Sequence, residues 1–554
     1  MPPDSVLNAP SIPSPAINKP LLPAQSLLPS LLAASAGALT VLAFAPYGLW
    51  PLQIGGIALL FALVMQATSI RRAAVLGWLY SSAATGAGVH WLYVSLHDIG
   101  GMPSWLTVAA IAVLSTGLAL LVGLATGGAR WLQQRARCSA ALTLLLILPA
   151  TCMLAEWTRA WIFTGFPWLS SGYAHAAAPL GGFAPLIGVY GVGMAAAVVA
   201  AALVLLLRLA RLARERSGSW MRAAGMALPV ILLLGVGQLL RQHAWTTPAG
   251  APITVRLLQG NIPQAMKFDP AQLAQTLGLY DALITQAPAD LIATPETALP
   301  VTRQQLPPDY LQRLSDFATR TGSHVLVGIP LADSAAQYAN AILVLDPAGT
   351  APAGFPVPIA AVAPTYRYDK HHLVPFGEFI PTGFRWFVDF MRMPLGDQTS
   401  GELIQPPFAV KDQWVLPNIC YEDLFGEEIA AQIRDRAARN QPLPTMLLNV
   451  SNIAWFGDTI ALPQHLQISQ MRTLETGRPM LRSTNTGATA VVGPDGQVQA
   501  RLAPYTRGVL SASVQGYAGL TPFIVMGNGA VVILATLMLA VAIFSGRHRR
   551  TDID

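Results

Sequence analysis

Three residues able to do nucleophilic chemistry stand at or just beyond segments that read as strand ends: Glu296 in DLIATPETALP, Lys370 in YRYDKHHLVPFGEFIP and Cys420 in VLPNICYEDLFGEE. Strand ends are where α/β sheets assemble their sites. Cys420 is one of 3 cysteines in 554 residues, and Cys138 and Cys152 lie far from it in sequence, so no disulfide framework is suggested. An unpaired thiol in an oxidising compartment is a liability unless it is used. A sharp strand-to-helix turn near a helix N-terminus would favour the thiolate. Glu422 and Asp423, in the first turn that follows, would oppose it, so an ammonium such as Lys370 is required nearby.

Taken singly, each residue has a plainer reading: a small buried hydrophobe, a helix cap, a solvated charge. Lysine stands only at positions 19, 267, 370 and 411 among 34 basic residues, which hints that a compact, tunable ammonium is wanted at Lys370. Taken together, the three supply a thiol to attack an acyl carbon, a carboxylate to take and relay its proton, and a cation to hold the oxyanion. No metal or other cofactor is demanded, because the His371–His372 pair lacks partners at ligand spacing.

The elements that must position these groups fall into two parts. The chain is 53% hydrophobic and 11% charged, against ~25% charged in soluble domains. Eight apolar runs approach the length of a membrane span: 27–46, 50–68, 73–95, 104–127, 139–160, 184–208, 223–241 and 522–545. Arg71 and Arg72, then Arg130 to Arg137, then Arg208 to Arg216, and finally Arg547 to Arg550 follow the even-numbered runs. The positive-inside rule assigns those ends to the cytoplasm and the stretch after the seventh run to the outside. The expected organisation is a disordered cytoplasmic tail (1–25), seven transmembrane helices (26–243), an outer catalytic domain (250–516), an eighth helix (520–546) and a cytoplasmic tail (547–554). The net charge of +6 reflects arginine at the inner face, so nucleic-acid binding is not implied.

The outer stretch alternates short β-rich runs with amphipathic helices. Strands are expected at 254–259, 290–294, 324–329, 341–346, 413–419, 445–450, 488–493 and 508–514, with helices near 270–286, 308–321, 424–439 and 463–477. DPAGT and GPDGQ look like hairpin turns. This is an α/β layered domain. The spans show few buried charges and no repeat of broken helices, which argues against a transporter with a solute-binding outer domain. In the fifth run, Glu156 and Arg159 lie three apart on one helical face, so a mutual ion pair is expected, with a lipid headgroup contact as the alternative.

The order PETALP, DKHHLVPFGEFIP, NICYEDLF resembles the nitrilase superfamily, whose αββα sandwich carries a Glu-Lys-Cys triad. With QGNIPQAMKF, NIAWFGDT, RTLETGRPMLRSTNTGATAVVGPDG, HWLYVSL and EWTRAWIFTGFPWLSSGY, the chain is similar to the membrane-bound apolipoprotein N-acyltransferase family over nearly its whole length after the tail. The resemblance implies an enzyme of the bacterial cytoplasmic membrane, with its catalytic domain on the periplasmic side. It would move an acyl chain from a phospholipid to the α-amino group of a diacylglyceryl-modified N-terminal cysteine of an apolipoprotein. By motif position, Cys420 is then nucleophile and thioester carrier, Glu296 general base and Lys370 oxyanion stabiliser. Glu378, Tyr421, Glu422, Trp455 and Phe456 support the site or contact substrate. Phe268, Thr294 and Ile453 depart from the family pattern, which expects tryptophan, tryptophan and aspartate there. Residues 379–405, aromatic and Met-rich, read as a lid that admits acyl chains. A membrane-anchored amidase is the rival within the same chemistry, and a monomer is the expected state.

Overall fold

The computed structural model describes residues 27–215, 220–334, 337–347, 366–380, 383, 385 and 398–548. The tail at 1–25 and most of the expected lid lie outside them. The first part of the chain is a bundle of helices that includes Leu28–Leu39, Trp50–Gln66, Ile70–Gly88, Ser104–Arg135, Leu148–Arg159, Ala184–Glu215 and Trp220–Gln242, and Gly529–His548 returns to it. Among the described residues, four apolar stretches are long enough to cross a membrane: Ser104–Arg135, Ala140–Arg159, Pro179–Arg211 and Gly529–Gly546. Leu28–Ala43, Trp50–Gln66 and Ala227–Gln242 are apolar but shorter. Ile70–Gly88 carries Arg71, Arg72, Tyr80, Ser81, Ser82 and Thr85, which dilute its apolar character. The structure thus supports half of the eight expected spans on length and composition.

The second part packs two six-stranded sheets face to face. Strands β1 (Thr247–Gln259), β2 (Leu291–Ala293), β3 (His324–Ser334), β4 (Gln337–Leu345), β5 (Tyr366–Asp369), β6 (Phe408–Val410), β7 (Gln413–Ile419), β8 (Met446–Ser451), β9 (Met480–Thr484), β10 (Ala490–Val492), β11 (Val498–Arg501) and β12 (Gly508–Ala518) follow the chain. One sheet runs β12-β1-β2-β3-β4-β5 and the other β11-β10-β9-β8-β7-β6. β1, β2 and β3 are parallel neighbours, as are β7, β8 and β9, while the flanking strands pair antiparallel. Val255, Leu257, Leu326 and Ile342 from one sheet meet Val415, Leu448, Val450 and Leu481 from the other in a dry core. Such continuous apolar strands are what burial on both faces demands. Helices Leu273–Thr285 and Tyr310–Thr321 cover the first sheet through Leu277, Ile284, Leu314 and Phe317. Gly426–Ala438 and Ala461–Thr476 cover the second through Ile429, Ile433, Leu462 and Leu466. The result is the αββα layering expected.

β9, MLRST, has no counterpart in the expected strand list, yet all five of its residues are buried. GPDGQ does form the β10–β11 hairpin. DPAGT runs beyond the described residues after Pro347.

The two parts share a core in which Tyr421, Leu424, Phe425, Ile468 and Met471 join helix residues such as Met153 and Tyr190. Gly188 breaks the helix Ala184–Glu215 at φ 64°, a backbone state that glycine accepts at little steric cost, and a Cβ there would sit 2.4 Å from the Phe523 ring. The break frees the Val189 N–H, which donates to Glu475 Oε1 across the junction at 2.8 Å. Trp168 Nε1 donates to Gln464 Oε1 at 2.8 Å, and Ser95 Oγ to the Trp455 carbonyl at 2.6 Å, so the double-sheet part is bolted to the bundle near the strand ends.

Candidate active site

Glu296, Lys370 and Cys420 follow β2, β5 and β7, and the face-to-face sheets bring those ends together. Lys370 is fully buried; its ammonium donates to Glu378 Oε1 at 2.7 Å and Glu296 Oε1 at 3.2 Å. Asn340 Nδ2 reaches the same two carboxylates at 2.7 Å (Glu296) and 3.2 Å (Glu378). The second Glu296 oxygen accepts from the Asn452 N–H at 2.7 Å, and that of Glu378 from the Val374 N–H at 2.8 Å. Neither carboxylate can swing without abandoning several bonds.

Cys420 opens the tight turn Cys420–Leu424 with φ 53°. A non-glycine residue held there is strained and persists only where its surroundings over-determine it. The determinant is Glu422. Its Oε2 accepts from the Ile419 N–H at 2.5 Å and the Tyr368 hydroxyl at 3.0 Å; its Oε1 accepts from the N–H groups of His371 and His372 at 2.6 and 3.2 Å. One carboxylate therefore ties the Cys420 turn to the segment just after Lys370. Burial pushes its pKa up to about 6 despite those donors. Asp423 turns the other way, to Arg482 Nη1 at 3.0 Å. The two acids that the sequence set against a thiolate are thus both engaged elsewhere.

A resident thiolate is nonetheless not what the site favours. Burial, then the Glu296 charge, raises the Cys420 thiol far more than Lys370 lowers it. A thiol that keeps its proton could attack only with a base at hand. For Glu296, burial works to raise the pKa, but the ammoniums of Lys370 and Lys267, with the Asn340 and Asn452 bonds, outweigh it and hold the carboxyl below its ordinary value. Burial would lower the Lys370 pKa, yet Glu296 and Glu378 raise it well above the lysine range, so it stays charged.

Lys267 is the residue that the sequence reading passed over. It ends the short helix Gln264–Lys267, is 3% exposed, and donates to the Glu296 carbonyl at 2.9 Å. Burial lowers its pKa to about 8 against the opposing pull of Glu296 and Cys420. The scarcity of lysine noted for Lys370 pointed equally to this position. Gln264, on the same helix, accepts from Asn452 Nδ2 at 2.8 Å, which fixes the residue that holds Glu296.

The supporting residues separate. The Tyr421 hydroxyl donates to the Gly165 carbonyl at 2.8 Å, linking the Cys420 turn to the helical bundle. The Phe456 ring packs on Trp91 with centroids 4.4 Å apart, whereas Trp455 is 40% exposed. Phe268 is 55% exposed, and its ring takes no part in the buried network beside it. Thr294 is buried and accepts from the Gly328 N–H at 2.9 Å, and Ile453 is buried in the outer core of the second sheet. Both departures from the family pattern are accommodated by packing. The Glu156–Arg159 ion pair is not formed. Both Glu156 oxygens accept from Ser171, its N–H at 3.1 and 3.3 Å and its hydroxyl closer still.

Residues 36–203 match the family described as apolipoprotein N-acyltransferase N-terminal domain, and residues 254–523 match that described as carbon-nitrogen hydrolase. The apolipoprotein N-acyltransferase of Ralstonia nicotianae is 48% identical, with 94% of this chain and 93% of that protein covered. That of Bordetella bronchiseptica is 42% identical, with 94% and 97% covered. Among solved structures, an amidase from Nesterenkonia sp. is 20% identical over 48% of this chain and 91% of its own, with a TM-score of 0.34.

Proposed function

The chain belongs to the apolipoprotein N-acyltransferase family, an acyltransferase with a nitrilase-like domain behind an apolar helical region; from that premise we propose that Cys420 carries the acyl group as a thioester. As Sγ adds to an ester carbon of a phospholipid, Glu296 takes the thiol proton, and the oxyanion that forms meets the Lys370 ammonium and backbone N–H groups. Collapse breaks the ester C–O bond, Glu296 returns the proton to the leaving oxygen, and lysophospholipid departs. The α-amine of a diacylglyceryl-cysteine then adds to the thioester carbon and gives its proton to Glu296. The C–S bond breaks, the sulfur recovers that proton, and the amide product leaves. Glu378 keeps Lys370 charged, Glu422 holds the nucleophile's turn, and Trp455 and Phe456, with the exposed Phe268, belong to the path of the acyl chains.

The observation that carries this reading is the Glu296 carboxylate, held by Lys370 at 3.2 Å, Asn340 at 2.7 Å and the Asn452 N–H at 2.7 Å at the same cluster of strand ends as the strained Cys420. The fuller arrangement proposed with it is eight spans, with residues 1–25 and 547–554 in the cytoplasm and residues 250–516 outside the bacterial cytoplasmic membrane. There both lipid substrates can reach a monomeric enzyme. The test is lysophospholipid release without acceptor: a burst of one equivalent per enzyme, with turnover resuming only when a diacylglyceryl-cysteine peptide is added. Steady release of free fatty acid without acceptor would instead mark a hydrolase.

A further inference from the structure

The QGNIPQAMKF stretch that closes β1 supplies none of the three reacting groups, yet it reaches Glu296 by two routes. The first runs through Asn452, whose N–H holds Glu296 Oε2. The Ile262 N–H donates to Asn485 Oδ1 at 3.0 Å, Asn485 Nδ2 donates to Asn452 Oδ1 at 3.0 Å, and Asn452 Nδ2 donates to Gln264 Oε1 at 2.8 Å. Asn452 is thus held from both sides. The second route is Lys267, whose buried ammonium donates to the Glu296 carbonyl at 2.9 Å. Among the described residues that carbonyl is its one hydrogen-bond acceptor. A neutral donor would satisfy a carbonyl without the cost of burying a charge, so the bond alone does not account for a lysine.

The charges around it do. Glu296 and Glu378 share the single ammonium of Lys370. Glu422 is met by three backbone N–H groups and the Tyr368 hydroxyl, and Asp423 by Arg482. Two carboxylates against one ammonium leave excess negative charge in a desolvated centre, which is relieved by protonating a carboxylate. A protonated Glu296 could take no proton from the thiol. With Lys267 the count is two against two. It stays even through the proposed addition, because the proton that passes from Sγ to Glu296 moves negative charge onto the substrate oxygen without changing the total. Lys267 makes and breaks no bond to hydrogen in that step. Against burial, the Lys370 charge and then the Lys267 charge hold the Glu296 carboxyl below its ordinary value.

We propose that Lys267 is the second counter-charge of the reaction centre, a positioning residue that anchors the Glu296 backbone and keeps the base in its proton-accepting form. This role deepens the reaction proposed above and takes its meaning from it, but the pairing of charges belongs to the resting protein and is measurable without turnover.

The test is infrared difference spectroscopy of the full chain in detergent, across a pH series and without substrate, following the carboxyl C=O band that Glu296→Gln abolishes. The groups that carry or can take charge around Glu296 are Lys370, Lys267, Glu378, Glu422 and the Cys420 thiol, with His465 kept neutral by burial and Arg482. Subtracting the Glu296→Gln series sets the other carboxyls aside. The band is expected to be absent at pH 7 from the unmodified protein and from Lys267→Arg. In Lys267→Met it should appear at a pH higher by at least about one unit, the shift that a nearby opposite charge produces. Lys267→Gln, which keeps a donor for the carbonyl and drops the charge, should behave like Lys267→Met and replaces it if that variant fails to fold. Acyl-enzyme formation at pH 7, read by intact mass with a phospholipid donor, should fall about tenfold in both neutral variants and recover in Lys267→Arg. A band that stays in place in the neutral variants, whatever the rate does, would reduce Lys267 to a structural donor and overturn the proposal, as would a band that moves equally in Lys267→Arg. A band that moves as expected in a protein that forms no acyl-enzyme would count against the proposed reaction and leave the counter-charge standing.

Discussion

In the catalytic half, buried cations are met inside the chain: Arg482 by Asp423, Arg472 by Glu475, Lys370 by Glu296 and Glu378. Even Arg478, fully buried and without a carboxylate, gives bonds to the carbonyls of Pro444, Thr476 and Gly519. Among the described residues, the buried Arg159 side chain of the helical half makes a single long bond, to Ser170 Oγ at 3.4 Å. The same desolvation cost is therefore offset in full by partners within the catalytic half and only in part in the helical half. The catalytic half keeps its groups rigid because the reacting atoms must not move.

The sharpest way to break this contrast is to empty the rigid half of its reacting group. Cys420→Ala should abolish both half-reactions, a loss of at least about 10⁴-fold in acyl transfer, while the folded protein keeps its thermal midpoint. Next is Glu296→Gln, which leaves a neutral amide between Lys370 and Asn452. It should block thioester formation by about 10²–10⁴-fold, and abundant acyl-enzyme in this variant would reassign the base.

Lys267 sharpens the comparison from within the rigid half, because it is the buried cation there whose charge is tunable. Its ammonium is present below about pH 8 and lost above. The rate of acyl-enzyme formation should thus fall as pH rises through about 8, since Lys370 and the Cys420 thiol titrate far higher and Glu296 far lower. Lys267→Met should lower the rate about tenfold at neutral pH and erase that limb, whereas Lys267→Arg, always charged, should carry the activity past it. A merely structural lysine would leave the limb where it is. The smallest effect is expected at the junction of the halves: Tyr421→Phe removes one neutral bond to Gly165 and should cost about 0.5–1.5 kcal/mol, read in denaturant unfolding.

The parts legible in sequence were those whose signal is local. Short apolar runs before Glu296 and Cys420 declared strands, and the Asp-Gly of GPDGQ declared its hairpin, whereas β5, the YRYD before Lys370, carries no such run. β9 was hidden because its polar residues are buried by long-range bonds: Arg482 reaches Asp423, and Ser483 Oγ donates to the Leu258 carbonyl at 3.0 Å. Composition cannot show a partner tens of residues away. The role of Glu422 was masked for the same reason. Its position beside the nucleophile suggested a repulsive charge, and only the fold reveals that it faces backbone donors from the Lys370 segment. The Glu156–Arg159 pair failed because helical spacing permits a contact without excluding a better acceptor, and Ser171 offers two donors. The spans at 28–43 and 50–66 are apolar in sequence, but the helices formed there are short.

The central claim is that Cys420, served by Glu296, carries the acyl group. Its most direct test is the intact mass of the purified protein in detergent with a phospholipid donor and no acceptor. The expected result is one added acyl mass, absent from Cys420→Ala and released by hydroxylamine. A folded protein that gains no acyl mass from any of several donors, yet releases amine from small amides, would contradict it.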